Sequence, residues 1–329
     1  MASNGLITKA VLLVGGKGTR LQPLTNQIPK PMLRIAGAPV TEHQILKAKR
    51  AGITEIVLST SYLAEVFEPY FGDGSRFGVQ IKYAVEEIPL GTGGAIRNGA
   101  KLLSLAADES FVILNGDVIS GHNLQMQSEF HLSRGADVTL HLTRVSDARR
   151  YGCVPVDENR RVVDFIEKME SPIANTINAG CYVFSRRVLD AIPDGVVTSI
   201  EREIFPKLLS VNTPIFGYID ESYWIDMGTP DALLHASRDL ILQPSILGGA
   251  MGSHQSLIEP GAEVDNSARI VNGSFIQSGA IIGSNVTVSG SIVAENAVIE
   301  ANSVVEESYI APKSRVISGS KIKGEIFGF

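Results

Sequence analysis

Between residue 9 and about residue 143, short aliphatic runs alternate with longer stretches whose apolar positions recur at helical spacing. The runs at 11–14, 55–59, 79–84, 111–114 and 138–142 predict strands, and the stretches at 40–51, 94–105 and 124–133 predict the helices between them. Such alternation implies a doubly wound α/β fold, with a mainly parallel, Rossmann-like sheet covered on both faces. Residues 144–240 are less regular, with hairpin-like strands at 162–167 and 178–184 and a closing helix at 231–240 that extend the same domain. After Gln243-Pro244 the chain turns rich in Gly, Ser and Asn. Aliphatic residues then follow at six-residue steps: Ile258, Val264, Ile270, Ile276, Ile282 and Val288, and after an offset of four, Ile292, Val298, Val304, Ile310, Val316 and Ile322. Hexads of this kind predict a left-handed parallel β-helix, and at about 18 residues per coil three to four coils fit. The expected organisation is an α/β domain over 1–243, a linker over 244–256 and the β-helix over 257–329.

Composition narrows the partners. Of 329 residues 44% are hydrophobic, enough for a sizeable core. Lys and Arg number 29 against 35 Asp and Glu, and the net charge of −6 gives no general attraction to nucleic acid or to an anionic membrane. An anionic substrate must therefore be held by local groups. No stretch approaches the ~20 apolar residues of a bilayer span and no secretory pattern is present, so a cytoplasmic location is expected. Cys153 and Cys181 are expected as buried small hydrophobes. None of the six histidines has ligand-like spacing with Cys or another His, which argues against zinc.

Candidate chemistry begins where the first strand ends. Gly15-Gly16-Lys17-Gly18-Thr19-Arg20 follows it, and Lys30 stands between Pro29 and Pro31. Glycines after a buried strand permit a sharp turn and let backbone N–H groups approach phosphate oxygens. The spacing fits neither G-x-G-x-x-G nor G-x-x-x-x-G-K-[ST], so this is a third kind of phosphate turn. Arg20 adds a forked cation, while the two prolines restrict the backbone on both sides of Lys30 and so aim its side chain. Ligands of open α/β sheets sit beyond the carboxyl ends of the strands. Asn115-Gly116-Asp117 ends another strand on that side, so the two turns are expected to meet at one cleft. For Asp117 alone, an Asx turn after Gly116 is the plain alternative to a metal-binding role.

With Glu167-Lys168, Asn178-Ala179-Gly180 and Trp224-Ile225-Asp226-Met227-Gly228 following in order, the chain resembles the sugar-1-phosphate nucleotidylyltransferases over essentially its whole length. Leu13-Val14-Gly15-Gly16 and the stretches 89–94, 177–180 and 199–206 make it similar to those members that use GTP and mannose 1-phosphate. The resemblance implies a nucleotidyltransferase sheet, GDP-mannose and pyrophosphate as products, and Mg²⁺ as cofactor. It implies Arg20, Lys30, Asp117 and Asp226 as the catalytic set, with Asp117 and Asp226 on the metal. Leu13, Gly15, Gly16, Gly18, Thr19, Arg20, Glu87, Gly91, Thr92 and Asn115 would surround the nucleotide, Glu86 also facing the base. Gly152, Glu167, Lys168, Asn178 and Gly180 would surround the sugar phosphate. Met169, Gly116 and Gly93-Gly94-Ala95 depart from the commoner family pattern, and none of these changes removes a charged group.

The same framework would serve uridylyl or thymidylyl transfer to glucose 1-phosphate. A non-catalytic subunit that senses nucleotide sugars is the alternative from another class. Glu167-Lys168 reads equally as a solvated charge pair on a hairpin; Glu201 would contact the sugar or, as one of two glutamates on a predicted helix, is expected to face solvent. The hexapeptide repeats imply a homo-oligomer, dimer or tetramer.

Overall fold

All five aliphatic runs between 9 and 143 become strands of one sheet. The computed structural model describes residues 6–149, 151–166, 173–248 and 254–329. Two units emerge: Met1–Lys17, Gln44–Val118 and His122–Trp224 form the first, and Gly18–His43, Ile119–Gly121 and Ile225–Phe329 form the second.

In the first unit, β1 (Lys9–Leu13), β2 (Glu55–Thr60), β3 (Gln80–Val85), β4 (Ser110–Asn115), β5 (Val138–Arg144), β6 (Thr176–Ser185) and β7 (Ile215–Ile219) lie in the order β7-β5-β6-β4-β1-β2-β3. Strands β4, β1, β2 and β3 are parallel, β6 is antiparallel to both β4 and β5, and β7 is parallel to β5. The stretch at 178–184, expected in a hairpin, is thus an interior strand of the main sheet. Its expected partner at 162–167 is no continuous strand. Val162 N–H bonds to the Ile215 carbonyl and Val163 N–H to that of Pro155, so the backbone divides its hydrogen bonds between two neighbours and leaves only isolated bridges. Glu167 and Lys168 lie outside the described residues.

Helices α1 (Val40–Arg50), α2 (Gly91–Ala100) and α3 (Leu124–Arg134) appear where expected, except that α2 begins at Gly91 rather than at 94. Glycine is a poor helix former, and packing overrides propensity here. A Cβ on Gly91 would lie 2.7 Å from the Thr198 carbonyl oxygen, and one on Gly94 3.0 Å from that of Val196. The bare backbone lets α2 lie directly on the 196–200 segment. On one face of the sheet Phe111, Tyr182, Phe184 and Phe205 make edge-on ring contacts in the core. Cys153 and Cys181 are free and buried as expected, and burial pushes the Cys181 thiol up to about 12.

A polar seam crosses this core. Lys47 Nζ lies 2.8 Å from His122 Nδ1, and His122 Nε2–H donates to Gln127 Oε1 at 3.0 Å. The His122 ring stacks on His141 at 3.7 Å, while His131 bonds Thr139 and Ser110. Burial pulls Lys47 down to about 8, His131 to about 4 and His141 to about 3, and holds His122 well below its ordinary 6.5.

The second unit is built around the repeats. Thirteen short strands form three parallel sheets of five, four and four strands, the stacked arrangement expected of the β-helix: four coils and one further strand. The first coil is 18 residues long, Leu257 pairing with Phe275, and the next are 17, Phe275 pairing with Ile292 and Ile292 with Tyr309. This corrects the first three positions of the second hexad series, while Ile310, Val316 and Ile322 lie inside as expected. Val293, Ile299 and Val305 fill the interior in place of Ile292, Val298 and Val304, because a one-residue shift turns a strand residue to the opposite face. Buried Ser291 and Ser308 mark the shortened corner. Ser308 N–H donates to Ser291 Oγ at 3.0 Å and Glu325 N–H to Ser308 Oγ at 3.1 Å, so the serines form a ladder between coils.

The outer row of the five-stranded sheet, Leu257, Phe275, Ile292 and Tyr309, is apolar. Helix α4 (Pro230–Leu242), with Thr229 Oγ1 capping Ala232 N–H at 3.3 Å, packs on that sheet. A hairpin of Arg34–Ile35 and Ala38–Pro39 joins it: Ala36 N–H donates to Ser237 Oγ of α4 at 3.1 Å. Arg34 lies over the Phe275 ring at 5.8 Å and pairs with Glu259 and Glu295. No helix among the described residues is long and apolar enough to cross a membrane.

The buried neutral histidines set a pH limit. Their folded pKa values lie below the unfolded value near 6.5, so the unfolded chain binds more protons and stability falls as pH drops from about 6.5 towards 4. Each such histidine contributes up to about 1.4 kcal/mol per pH unit in that window. The melting temperature of the wild type will fall steeply between pH 6.5 and 4, and that of His131→Gln will fall less steeply. Parallel curves for the two would contradict this.

Candidate active site

Strands β1 and β4 end level with each other, Leu13 opposite Asn115. Gly116 N–H donates to the Leu13 carbonyl at 2.9 Å, and a Cβ on Gly116 would lie only 2.5 Å from that oxygen. Gly15 is equally confined, its Cβ position 2.7 Å from Ser61 Oγ. The two turns expected at the carboxyl edge of the sheet therefore adjoin. Beside them opens a cavity of about 560 Å³, walled by Leu13, Gly15, Gly16 and Lys17 on one side and by Glu86, Glu87, Pro89, Gly91 and Thr92 on the other.

Glu86 is the informative wall residue. Its Oε2 accepts the Leu90 N–H at 3.0 Å, whereas the buried Oε1 has no hydrogen-bond partner in the described structure. Burial raises its pKa, against the bond from Leu90. Glu87, named in the expected nucleotide set, is exposed. Continuing the period of two from Ala84 past the end of β3 would have singled out Glu86, since successive extended residues face opposite sides.

The expected sugar side is held by a network that sequence reading missed. Thr92 Oγ1 donates to Glu201 Oε2 at 2.7 Å and accepts the Ile200 N–H at 2.9 Å. Tyr182 O–H donates to Glu201 Oε1 at 3.3 Å and accepts from Asn178 Nδ2 at 2.8 Å. Asn178 Oδ1 in turn accepts the Gly180 N–H at 3.1 Å, and Asn178 N–H donates to the Gly152 carbonyl at 3.1 Å. Glu201 is therefore not a solvent-facing side chain but the junction between Thr92 and Asn178. Gly180, at φ 76°, leaves room for the Asn115 amide, whose Oδ1 is buried without a partner. Trp224 Nε1–H donates to the Ala179 carbonyl at 3.0 Å and its ring meets Tyr151 edge-on.

The second unit gathers the remaining expected cations with one carboxylate. Lys30 is 6% exposed, and its Nζ lies 3.6 Å from Asp226 Oδ1. Gly18, in the left-handed region at φ 56°, packs against the Lys30 Cβ and accepts a bond from Thr25 Oγ1 at 2.9 Å. The Arg20 guanidinium lies over Gly228, where a Cβ would come within 2.8 Å of it. Thr19, beside Arg20 in a single helical turn, is exposed.

A family model described as nucleotidyl transferase matches residues 9–243. The chain belongs to the nucleotidyl transferase family. It is 51% identical to "Mannose-1-phosphate guanylyltransferase" of Mycobacterium tuberculosis over 263 residues, 79% of this chain and 72% of that protein. It is 38% identical to "Probable mannose-1-phosphate guanylyltransferase 1" of Oryza sativa subsp. japonica over 68% of this chain and 62% of the relative's length. Among solved structures, HddC from Yersinia pseudotuberculosis complexed with GMP-PN superposes with a TM-score of 0.60 at 29% identity, over 71% of this chain and 100% of that one.

The Asp117 carboxylate and the unpartnered Asn115 Oδ1 in the first unit, and the Asp226 carboxylate in the second, are oxygen donors of the kind a divalent cation takes. No group of three or more His, Cys, Asp or Glu side chains among the described residues could hold a metal unaided. That set fits a hard cation that completes its shell with water and phosphate oxygens, and not a closed zinc site. At the turn itself, Gly116→Ala will lower stability by about 1–3 kcal/mol by forcing β4 away from the Leu13 carbonyl. A urea midpoint equal to that of the wild type would contradict this tight fit of the turn.

Proposed function

We propose that this nucleotidyl transferase moves GMP from GTP to mannose 1-phosphate, forming GDP-mannose and releasing pyrophosphate. The observation that carries the reading is the Glu86 carboxylate, with one oxygen unpartnered in the wall of a cavity that adjoins a glycine-lined phosphate turn. Guanine presents an N1–H and an N2–H₂ on one edge, and a buried acceptor there selects it over uracil or thymine. The named relatives, 51% and 38% identical, support the same substrate pair. Uridylyl or thymidylyl transfer is the reading that Glu86 disfavours.

The phosphate oxygen of mannose 1-phosphate attacks the α-phosphorus of GTP in line. Its new P–O bond forms as the bond from the α-phosphorus to the pyrophosphate oxygen breaks, and no proton need be removed from the nucleophile. Catalysis is then positioning and neutralisation of charge. The amides of the Gly15–Thr19 turn and the Arg20 fork hold the β- and γ-phosphates, and Lys30 stabilises charge at the α-phosphate. Asp117 and Asp226 would hold Mg²⁺, which would supply neutralisation of phosphate charge. Asn178, Gly180 and Gly152 face the sugar. The β-helix serves assembly into a homodimer or homotetramer.

Pyrophosphate release measured for GTP, ATP, UTP, CTP and dTTP against mannose, glucose and galactose 1-phosphates will be dominated by GTP with mannose 1-phosphate. A different dominant pair would refute the substrate assignment, and silence in every combination would favour a non-catalytic, nucleotide-sugar-sensing subunit. Lys30→Ala and Asp226→Ala will each lower kcat by at least ~10²-fold with folding intact, the scale of losing one charge-stabilising group. Undiminished turnover in either would sink the mechanism. Glu86→Gln will reduce the preference for GTP over ITP, which lacks the N2 amino group, by about 10- to 100-fold, as a lost charged hydrogen bond requires. An unchanged ratio would remove Glu86 from base recognition.

A further inference from the structure

Asp117 stands in a turn whose two flanking carbonyls are claimed by one side chain. Gln44, on α1 and 5% exposed, donates from Nε2 to the Asn115 carbonyl at 3.2 Å and also to that of Val118. A primary amide nitrogen has two N–H donors, and here they serve the residues on either side of Gly116-Asp117. Gly116 N–H is tied separately to the Leu13 carbonyl. The short turn is therefore fixed from two directions, by strand β1 through its one amide and by helix α1 through both of its outer carbonyls. Both Gln44 bonds and the Gly116 bond fall on the backbone around Asp117, so they hold in place the Cα from which its carboxylate projects.

The geometry points to Gln44 as a positioning residue that orients the Asp117 carboxylate for a divalent cation. Gln44 contributes through the turn and touches neither substrate nor metal. The inference rests on the proposal that Asp117 is a metal ligand. Residue chemistry at 44 is restrictive. Methionine keeps the length but has no donor, glutamate would set an acceptor against two carbonyl oxygens, and asparagine is one methylene too short to reach both.

The test compares full-length wild type, Gln44→Met, Gln44→Asn and Asp117→Asn. For Gln44→Met the Mg²⁺ concentration giving half-maximal activity will rise at least ~10-fold, while KM for mannose 1-phosphate stays within about two-fold, a split that general destabilisation does not produce. Mn²⁺ binding in the presence of a non-hydrolysable GTP analogue, followed by electron paramagnetic resonance, will weaken by a similar factor. Amide exchange of peptides spanning 113–119 will accelerate with the rest of the sheet unaffected. Gln44→Asn will shift in the same direction by less, and it carries the test if Gln44→Met does not fold. Unchanged metal dependence and Mn²⁺ affinity in the Gln44 variants, with both weakened in Asp117→Asn, would overturn the inference and leave the metal assignment standing. If Asp117→Asn itself leaves both unchanged, the metal assignment falls and the positioning role falls with it.

Discussion

The close approach of β4 to β1 at the Leu13–Gly116 contact is the constraint on which the first unit's site depends. Parallel pairing brings Leu13 level with Asn115, and the absence of a side chain at 116 lets the chain turn at once across the strand end. Everything the turn presents, Asp117 included, takes its place from that backbone contact. Its neighbours follow the same rule. Gly15 fits against Ser61, and Gly91 and Gly94 lay α2 on the 196–200 segment, so the cavity walls are drawn together by backbone rather than by interdigitated side chains. Such walls have little room to adjust, which suits a site that positions its reactants before any bond changes.

The second unit reaches rigidity by a different route. Each coil of the β-helix repeats the same inward aliphatic positions, and the serine ladder ties coil to coil at the shortened corner. One outer row departs from the polar exterior of the repeats, and α4 and the Arg34 hairpin cover it. The helix that closes the region matched by the family model is thus also the helix that packs on the repeats. Lys30, Arg20 and Asp226 belong to this same unit, two of them held by contacts with backbone glycines at 18 and 228.

Much of this was legible in the residues. The aliphatic runs placed the parallel half of the sheet, and the glycines after β1 marked the turn at its carboxyl edge, because both signals are local. The β-helix was legible as a repeat, but not its register. Ile292-Val293, Val298-Ile299 and Val304-Val305 are adjacent aliphatic pairs, so a 17-residue coil and an 18-residue coil read alike until the strands are paired. Residues that act at long range were invisible. Glu201 looks like a solvated helix residue until Tyr182 and Thr92 are brought to it, and Gln44 meets the turn carbonyls of Asn115 and Val118 from 71 and 74 positions away in the chain. Glu86 lay between, since the strand period points to it while the neighbouring Glu87 masks it.

The most direct test of the account is a crystal structure with a non-hydrolysable GTP analogue and Mn²⁺, with the metal located by anomalous scattering. Guanine will occupy the 560 Å³ cavity with its N1–H and N2–H₂ edge on the Glu86 carboxylate, and the metal will lie on Asp117. A base bound outside that cavity, or a metal held without Asp117, would contradict it.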